Sequence, residues 1–484
     1  MRPYLRVPLI TLLSASLLFS PTLPAQGINL PDIGGAGDQA LSPQEENRLG
    51  VEVMIQLHRQ GQMLDDVQVT SYLQQLGQRL LAHADTRGQE FTFFVMRDNT
   101  INAFALPGGY IGVNSSLILA TSDESELAGV MAHEISHVTQ RHIARSIAAS
   151  SGLNMATMAG MLAAILLSRG NGQVAQAAIS TGMAAQIENA IRFTNQNEME
   201  ADRIGMRVLA DANFDSLAMP RFFEELQART RYYENEYSNF LRDHPVTSER
   251  ISDAQARARH YPPVKLIESR GYLLTKARVA ALTASDLNQA ERVFAEQAAK
   301  LQGTPRDAAL YGQGLVLLRA GSAAKAAPQF AELARRQPDE PAYRQALADA
   351  QLAQGKTEDA LATYAQAITL FPDNIALVLA YSTTLLQANK GAAAWQQLQR
   401  LPVDRNAPAE QFRLLAQAAQ MLNRTAQVHD LLAEYALRRG NARQALEQWH
   451  IALNTPDPQH LINPERIKQR MRELEHMLRD MQNG

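Results

Sequence analysis

The segment His133-Glu134-Ile135-Ser136-His137 carries the chemistry of this 484-residue chain and, with it, the architecture. On a helix the two histidines stand one turn apart, about 6 Å along the axis and about 40° around it, so both imidazoles can face one ion. Glu134 projects beside them, near enough to take a proton from water without itself ligating. The pattern is H-E-x-x-H, whose usual ion is Zn²⁺. With 11 histidines in the chain, a chance match arises roughly 0.01–0.02 times per sequence of this kind, so coincidence is a poor explanation. Leu127, Val130, Met131 and Ile135 give the same helix an apolar side.

A catalytic zinc needs three protein ligands and one open position. Position 143, ten residues after His133, is Ile, and His142 falls about 140° around the helix from His137. The third ligand must come from elsewhere. Asn197-Glu198-Met199-Glu200-Ala201-Asp202 opens a second helix, where Glu198 and Asp202 share a face at i and i+4. One carboxylate there can bind metal while the other holds a ligand histidine in its tautomer.

The surrounding elements read as α+β. Ser42-Pro43-Gln44-Glu45 is a capping box that starts a helix to about Arg59, and a second helix runs from about Asp66 to Ala84. Phe91 to Val95 is β-rich, and Asn102 to Val113 is strand-like around a tight turn at Pro107-Gly108-Gly109. Thr121-Ser122-Asp123-Glu124 then caps a helix expected to run through the 130s into the 140s. The predicted fold is thus a mostly helical zincin-type metallopeptidase domain with a small sheet, over residues 42–263.

Beyond Tyr261-Pro262-Pro263 the texture changes. Gly314, Gly321, Ala326, Phe330 and Pro338 recur 34 residues later as Ala348, Gly355, Ala360, Tyr364 and Pro372. Small residues where two helices touch, an aromatic filling the gap and a closing proline make the tetratricopeptide (TPR) signature. Ala394 with Leu398 continues the register in degenerate form, and Gly440, Ala445, Trp449 and Ala452 mark a later unit. Residues 264–304, with Ala290 and Phe294, read as a helical connector or atypical first repeat, and 305–460 as an all-α TPR solenoid. Residues 461–484 form a capping helix with Ile467, Met471, Leu474, Leu478 and Met481 on one face.

Arg2 and Arg6 before the apolar run Val7 to Phe19, then Ala25, read as a secretory signal peptide over 1–25. Residues 26–41 are a leader rich in Gly, Pro and Asp. The absence of cysteine excludes disulfides, thiolate metal sites and thiol catalysis, and it suits an exported chain. A net charge of −3 gives no reason to expect nucleic acid. Residues 146–168 and 170–187 carry no charge; they read as a helical hairpin packed on its own domain, as a surface touching lipid or a membrane protein, or as a membrane span.

His133-Glu134-x-x-His137 followed by Glu198-x-x-Ala201-Asp202 resembles the HtpX-like gluzincin metallopeptidases, which include the CAAX prenyl proteases. Asn102-Ala103-Phe104-Ala105 with the glycine turn resembles the edge strand that precedes the metal helix in that family. Export and a C-terminal repeat array narrow the match to members acting in outer-membrane biogenesis of Gram-negative bacteria. The resemblance implies one zinc per subunit held by His133, His137 and Glu198, with Glu134 as general base and Asp202 orienting a ligand histidine. It implies a periplasmic endopeptidase associated with the outer membrane, with barrel proteins such as the lipopolysaccharide transporter LptD as substrates and the barrel-assembly machinery as a partner of the array. His244-Pro245, with Arg250 supporting the loop, is similar to His-Pro loops that lie over the zinc in such members, which implies a plug in the open position. The competing reading is a chaperone-like TPR adaptor whose protease site is mostly latent.

Overall fold

The computed structural model describes residues 41–148, 194–230, 240–265 and 269–483. The expectations for the signal peptide, for the leader up to residue 40 and for nearly all of 146–187 lie outside these residues. No helix among those described is long and apolar enough to cross a membrane.

Helix α1 (Pro43–Arg59) begins with the capping box, Ser42 accepting from the Glu45 amide and Glu45 accepting from the Ser42 amide. Helix α2 (Val67–Leu81) is capped by Asp66. Strands β1 (Thr92–Met96), β2 (Ala103–Leu106) and β3 (Tyr110–Asn114) form a sheet of order β1-β3-β2. β1 runs parallel to β3, and β2 pairs antiparallel with it, Phe104 opposite Gly112. The turn between β2 and β3 places Gly108 at φ 76° and Gly109 at φ 81°, where a side chain would be strained.

Helix α3 (Ser115–Ala120) leads to α4 (Glu124–Thr139), whose residues Ser125 to Val138 are all buried. A helix enclosed on every side has little amphipathic signature, since packing rather than a wet face defines it. The chain does not continue as one helix into the 140s, as its sequence had suggested. It breaks at Arg141, which adopts φ 54°, and resumes as α5 (His142–Ala148). The Arg141 guanidinium anchors the break on the Glu46 carboxylate and the Leu41 carbonyl. Helix α6 (Asn195–Asp211), capped by Thr194, crosses α4 at Gly205, where an added Cβ would lie 3.0 Å from the His133 amide nitrogen. Helices α7 (Ala218–Thr230) and α8 (Ser248–Ala258) close the domain, with Phe222, Phe223 and Phe240 in its core.

The C-terminal half is a stack of helices from Arg270–Thr283 to Pro464–Asn483. The repeat slots are filled as the 34-residue period predicts: Ala326, Phe330, Ala360, Tyr364, Ala394, Leu398, Ala445 and Trp449 are fully buried. Ile467, Met471 and Leu474 seat the last helix against the array.

Helix Arg270–Thr283 serves both halves. Its Tyr272 and Val279 lie in the peptidase core, while Leu274, Ala277 and Ala281 lie in the core of the first repeats. Arg278 forks onto Asp66 at 2.8 and 2.7 Å, and Tyr311 donates to Gln68 at 3.1 Å. Farther along, Arg405 donates to the Gly108 carbonyl at 2.8 Å and lies 4.2 Å over the Tyr110 ring. The array is therefore wrapped onto the domain rather than trailing from it.

Candidate metal centre

Helix α4 brings the Nε2 atoms of His133 and His137 to 2.9 Å from each other. Glu198, on the first turn of α6, places Oε1 3.3 Å from His137 Nε2 and Oε2 3.5 Å from His133 Nε2. The loop before α8 adds His244, with Nδ1 3.0 Å from Glu198 Oε1 and 3.3 Å from His133 Nε2. His133, His137, Glu198 and His244 each offer a ligand atom, all four within 4.8 Å of one another, and all four residues are buried.

One turn farther along α6, Asp202 Oδ1 lies 2.9 Å from His133 Nδ1. Arg250 forks onto Asp202 at 2.7 and 2.8 Å, reaches Glu198 Oε2 at 2.7 Å and donates to the Pro245 carbonyl at 2.7 Å. One buried guanidinium thus ties both α6 carboxylates to the loop that carries His244. Asn102 at the head of β2 donates to Asp243 at 3.2 Å, and Ala103, Phe104 and Ala105 continue as the buried edge strand.

The donor set fits a divalent cation. The Asp202 carboxylate, 2.9 Å from His133 Nδ1, would keep a proton on that nitrogen and leave Nε2 as the donor atom toward an ion. His133 Nε2 and His137 Nε2, 2.9 Å apart, are two nitrogen donors set side by side as one shared cation requires. Both carboxylate oxygens of Glu134 are buried without a hydrogen-bond partner. Burial disfavours charge on His133, yet Asp202 and Glu198 outweigh it and lift its pKa to about 10, so the pocket attracts positive charge. Burial pushes the Glu134 carboxyl up and His137 well below the usual imidazole range. Burial also opposes ionisation of Glu198 and Asp202, but the surrounding histidines hold Glu198 well below the usual range, and His133 with Arg250 lowers Asp202.

The structure brings together the residues singled out from sequence: His133, Glu134, His137, Glu198, Asp202, His244 and Arg250. A helix continued past His137 would carry His142 about 140° around, away from the ion's side of His137. His142 is no member of the ligand cluster, but the break at Arg141 returns it to the back of His137, Nδ1 to Nδ1 at 2.9 Å. The sequence signal for that is faint, since Gln140-Arg141 contains no residue that prefers a left-handed backbone.

Two histidines one turn apart on a buried helix, a glutamate from a second helix and an appended repeat solenoid define a metallopeptidase with a tetratricopeptide array. Residues 68–258 match peptidase family M48, and residues 279–341 and 351–418 each match the tetratricopeptide repeat. The chain is 36% identical over 439 residues to the putative beta-barrel assembly-enhancing protease of Vibrio cholerae serotype O1, covering 90% of this chain and 89% of that one. It is 33% identical over 445 residues to the beta-barrel assembly-enhancing protease of Escherichia coli K12, with 91% of each covered. The mitochondrial metalloendopeptidase OMA1 of Schizosaccharomyces pombe is 30% identical over 182 residues, 38% of this chain and 51% of that one. The chain belongs to peptidase family M48, among the beta-barrel assembly-enhancing proteases.

Proposed function

We propose that this chain is a periplasmic zinc endopeptidase that cuts misassembled outer-membrane barrel proteins, its array recruiting the substrate or the barrel-assembly machinery. The observation that carries the chemistry is the convergence of His133 Nε2, His137 Nε2 and the Glu198 carboxylate beside a buried Glu134 whose carboxylate accepts no hydrogen bond. The relatives' names support the substrate class, with an LptD-like barrel as the first substrate to test. The basic and apolar start of the chain supports export, with the signal peptide removed after about residue 25.

His133, His137 and Glu198 would hold one Zn²⁺ per subunit, a nitrogen and oxygen ligand set that suits this ion. When bound, the ion supplies positive charge that polarises a peptide carbonyl and makes water more acidic. Glu134 takes the proton from the attacking water and returns it to the leaving nitrogen, a role open to it because it stands beside the ligand atoms without being one of them. Asp202 fixes the His133 ring, and Arg250 fixes Asp202. Residues 102–105 would hold an extended substrate by strand addition, which reads backbone more than side chains and suits a quality-control protease.

His244 occupies space among the ligand atoms, and this favours a second reading: an adaptor that promotes barrel assembly while its protease site is mostly latent. Elemental analysis of the purified chain, with cleavage of an unfolded outer-membrane barrel with and without a chelator, tests both. The proposal expects about one zinc per chain and chelator-sensitive cleavage. A chain without metal overturns it, and a metal-loaded chain that assists assembly without cutting supports the adaptor.

A further inference from the structure

Behind His137 lies a polar chain that the mechanism above does not use. His142 Nδ1 is 2.9 Å from His137 Nδ1, His142 Nε2 is 3.1 Å from Glu200 Oε2, and Arg145 Nη2 is 3.2 Å from the same oxygen. His142 is fully buried, whereas Glu200 and Arg145 reach solvent.

Proton positions along this chain follow from its outer end. The Glu200 carboxylate can only accept, so His142 carries its proton on Nε2 and offers a lone pair at Nδ1. His137 must then donate from its own Nδ1, which leaves the His137 Nε2 lone pair on the side shared with His133 and Glu198. On His133 the corresponding position behind the ring is taken by the Asp202 carboxylate, 2.9 Å from Nδ1.

We propose that His142, backed by Glu200, is a positioning residue that holds His137 in its metal-binding tautomer and ring orientation. This rests on the metal-centre reading given above. Three features of the fold build the placement. Arg141 takes a left-handed backbone and is pinned to Glu46, so the chain turns and the next residue swings under α4. The two rings meet nearly edge to face, with centroids 4.9 Å apart and planes at 75°, which allows nitrogen to face nitrogen. Glu200 lies midway in sequence between Glu198 and Asp202 but off their shared face, so it meets His142 and not the ligand cluster.

The test measures Zn²⁺ affinity of the full chain by competition with a chromogenic chelator, together with melting of the metal-free chain. His142→Ala should weaken Zn²⁺ binding by a factor on the order of 10–100 without lowering metal-free melting by a matching amount. His142→Gln, whose oxygen can accept from His137 while its amide donates to Glu200, should recover most of the affinity. Glu200→Ala should give a smaller loss in the same direction, and Co²⁺ absorption should shift in His142→Ala but not in His142→Gln. Unchanged affinity in His142→Ala overturns the proposal, as does a loss that His142→Gln fails to recover, since the ring then only fills space. If His142→Ala does not fold, the partly exposed Glu200 decides, and wild-type affinity in Glu200→Ala overturns the proposal. Absence of Zn²⁺ binding by the wild type overturns the metal centre itself, and this proposal with it.

Discussion

Nε2 of His244 lies 3.4 Å from Oε1 of Glu134, and both side chains are buried. The loop imidazole therefore stands where it meets both the proposed base and the ligand atoms of His133 and Glu198. A ring in that position excludes the water on which Glu134 would act. His244→Ala should raise basal cleavage of an unfolded substrate, and self-cleavage with it, while zinc content stays at about one per chain because three ligands remain. The alternative makes His244 a donor to the developing oxyanion, and the same substitution then lowers activity on the order of 10²–10³-fold. The sign of the change in a proteolysis assay decides.

Glu134→Gln should keep the metal and lose cleavage, because Glu134 stands outside the ligand set and its replacement is isosteric. Loss of a positioned base costs about 10²–10⁴-fold. His133→Ala should instead lose the metal, since it removes a donor. Measuring zinc and turnover on both variants separates the roles, and full activity in Glu134→Gln would sink the mechanism.

Arg250→Ala leaves Asp202 and Glu198 buried without their guanidinium. Removing one partner of a buried ion pair costs about 3–5 kcal/mol, so melting should fall sharply. The Pro245 carbonyl loses its donor as well, which loosens the His244 loop. Arg250→Lys should recover little of this, because an ammonium cannot fork onto Asp202 while also reaching Glu198 and Pro245. Wild-type melting in Arg250→Ala would show that the carboxylates find other partners.

Gly205 sets the approach of the two helices that carry His133, His137 and Glu198. A Cβ there would lie 3.0–3.1 Å from backbone atoms of Ala132 and His133, which cannot move aside as a side chain can. Gly205→Val should push α6 from α4, cost about 1–3 kcal/mol and weaken metal binding. Unfolding curves with and without a chelator measure both effects; unchanged metal stabilisation would mean that the ligands follow the shift.

Truncation distinguishes a docked array from an independent one. A chain ending at residue 304 keeps Tyr272 and Val279 in the peptidase core but loses the Tyr311–Gln68 and Arg405–Gly108 contacts. It should fold and bind zinc with lowered melting. A chain ending at residue 265 also loses Tyr272, whose hydroxyl donates to the Thr121 carbonyl at 2.6 Å, and should be far less stable. Equal melting of the two would mean that helix Arg270–Thr283 adds nothing to the domain.

Much of this molecule is legible from spacing. H-E-x-x-H and the Glu198/Asp202 pair are i,i+4 relationships, and helix geometry alone puts such residues on one face. The 34-residue period is equally local, because each repeat packs mainly on its neighbours. Capping at Ser42 and at Asp123 needs only three or four residues to be recognised. Sequence could nominate His244 and Arg250 by resemblance, but it could not bring them to the cluster.

What only the tertiary structure decided is where local rules give way to packing. His244 meets His133 across 111 positions and Arg250 meets Asp202 across 48, distances over which no periodicity operates. His142 turns back on His137 because a helix ends at Arg141, and that end is held by Glu46, 95 positions upstream. The array folds onto the sheet through Arg405 and Gly108, 297 positions apart. Sequence by itself determined most helix starts, the repeat and the i,i+4 pairs, since backbone geometry repeats every few residues. The third imidazole of the cluster, the support behind His137 and the wrapped array required the whole chain, because burial and hydrogen bonding between distant segments have no local signature.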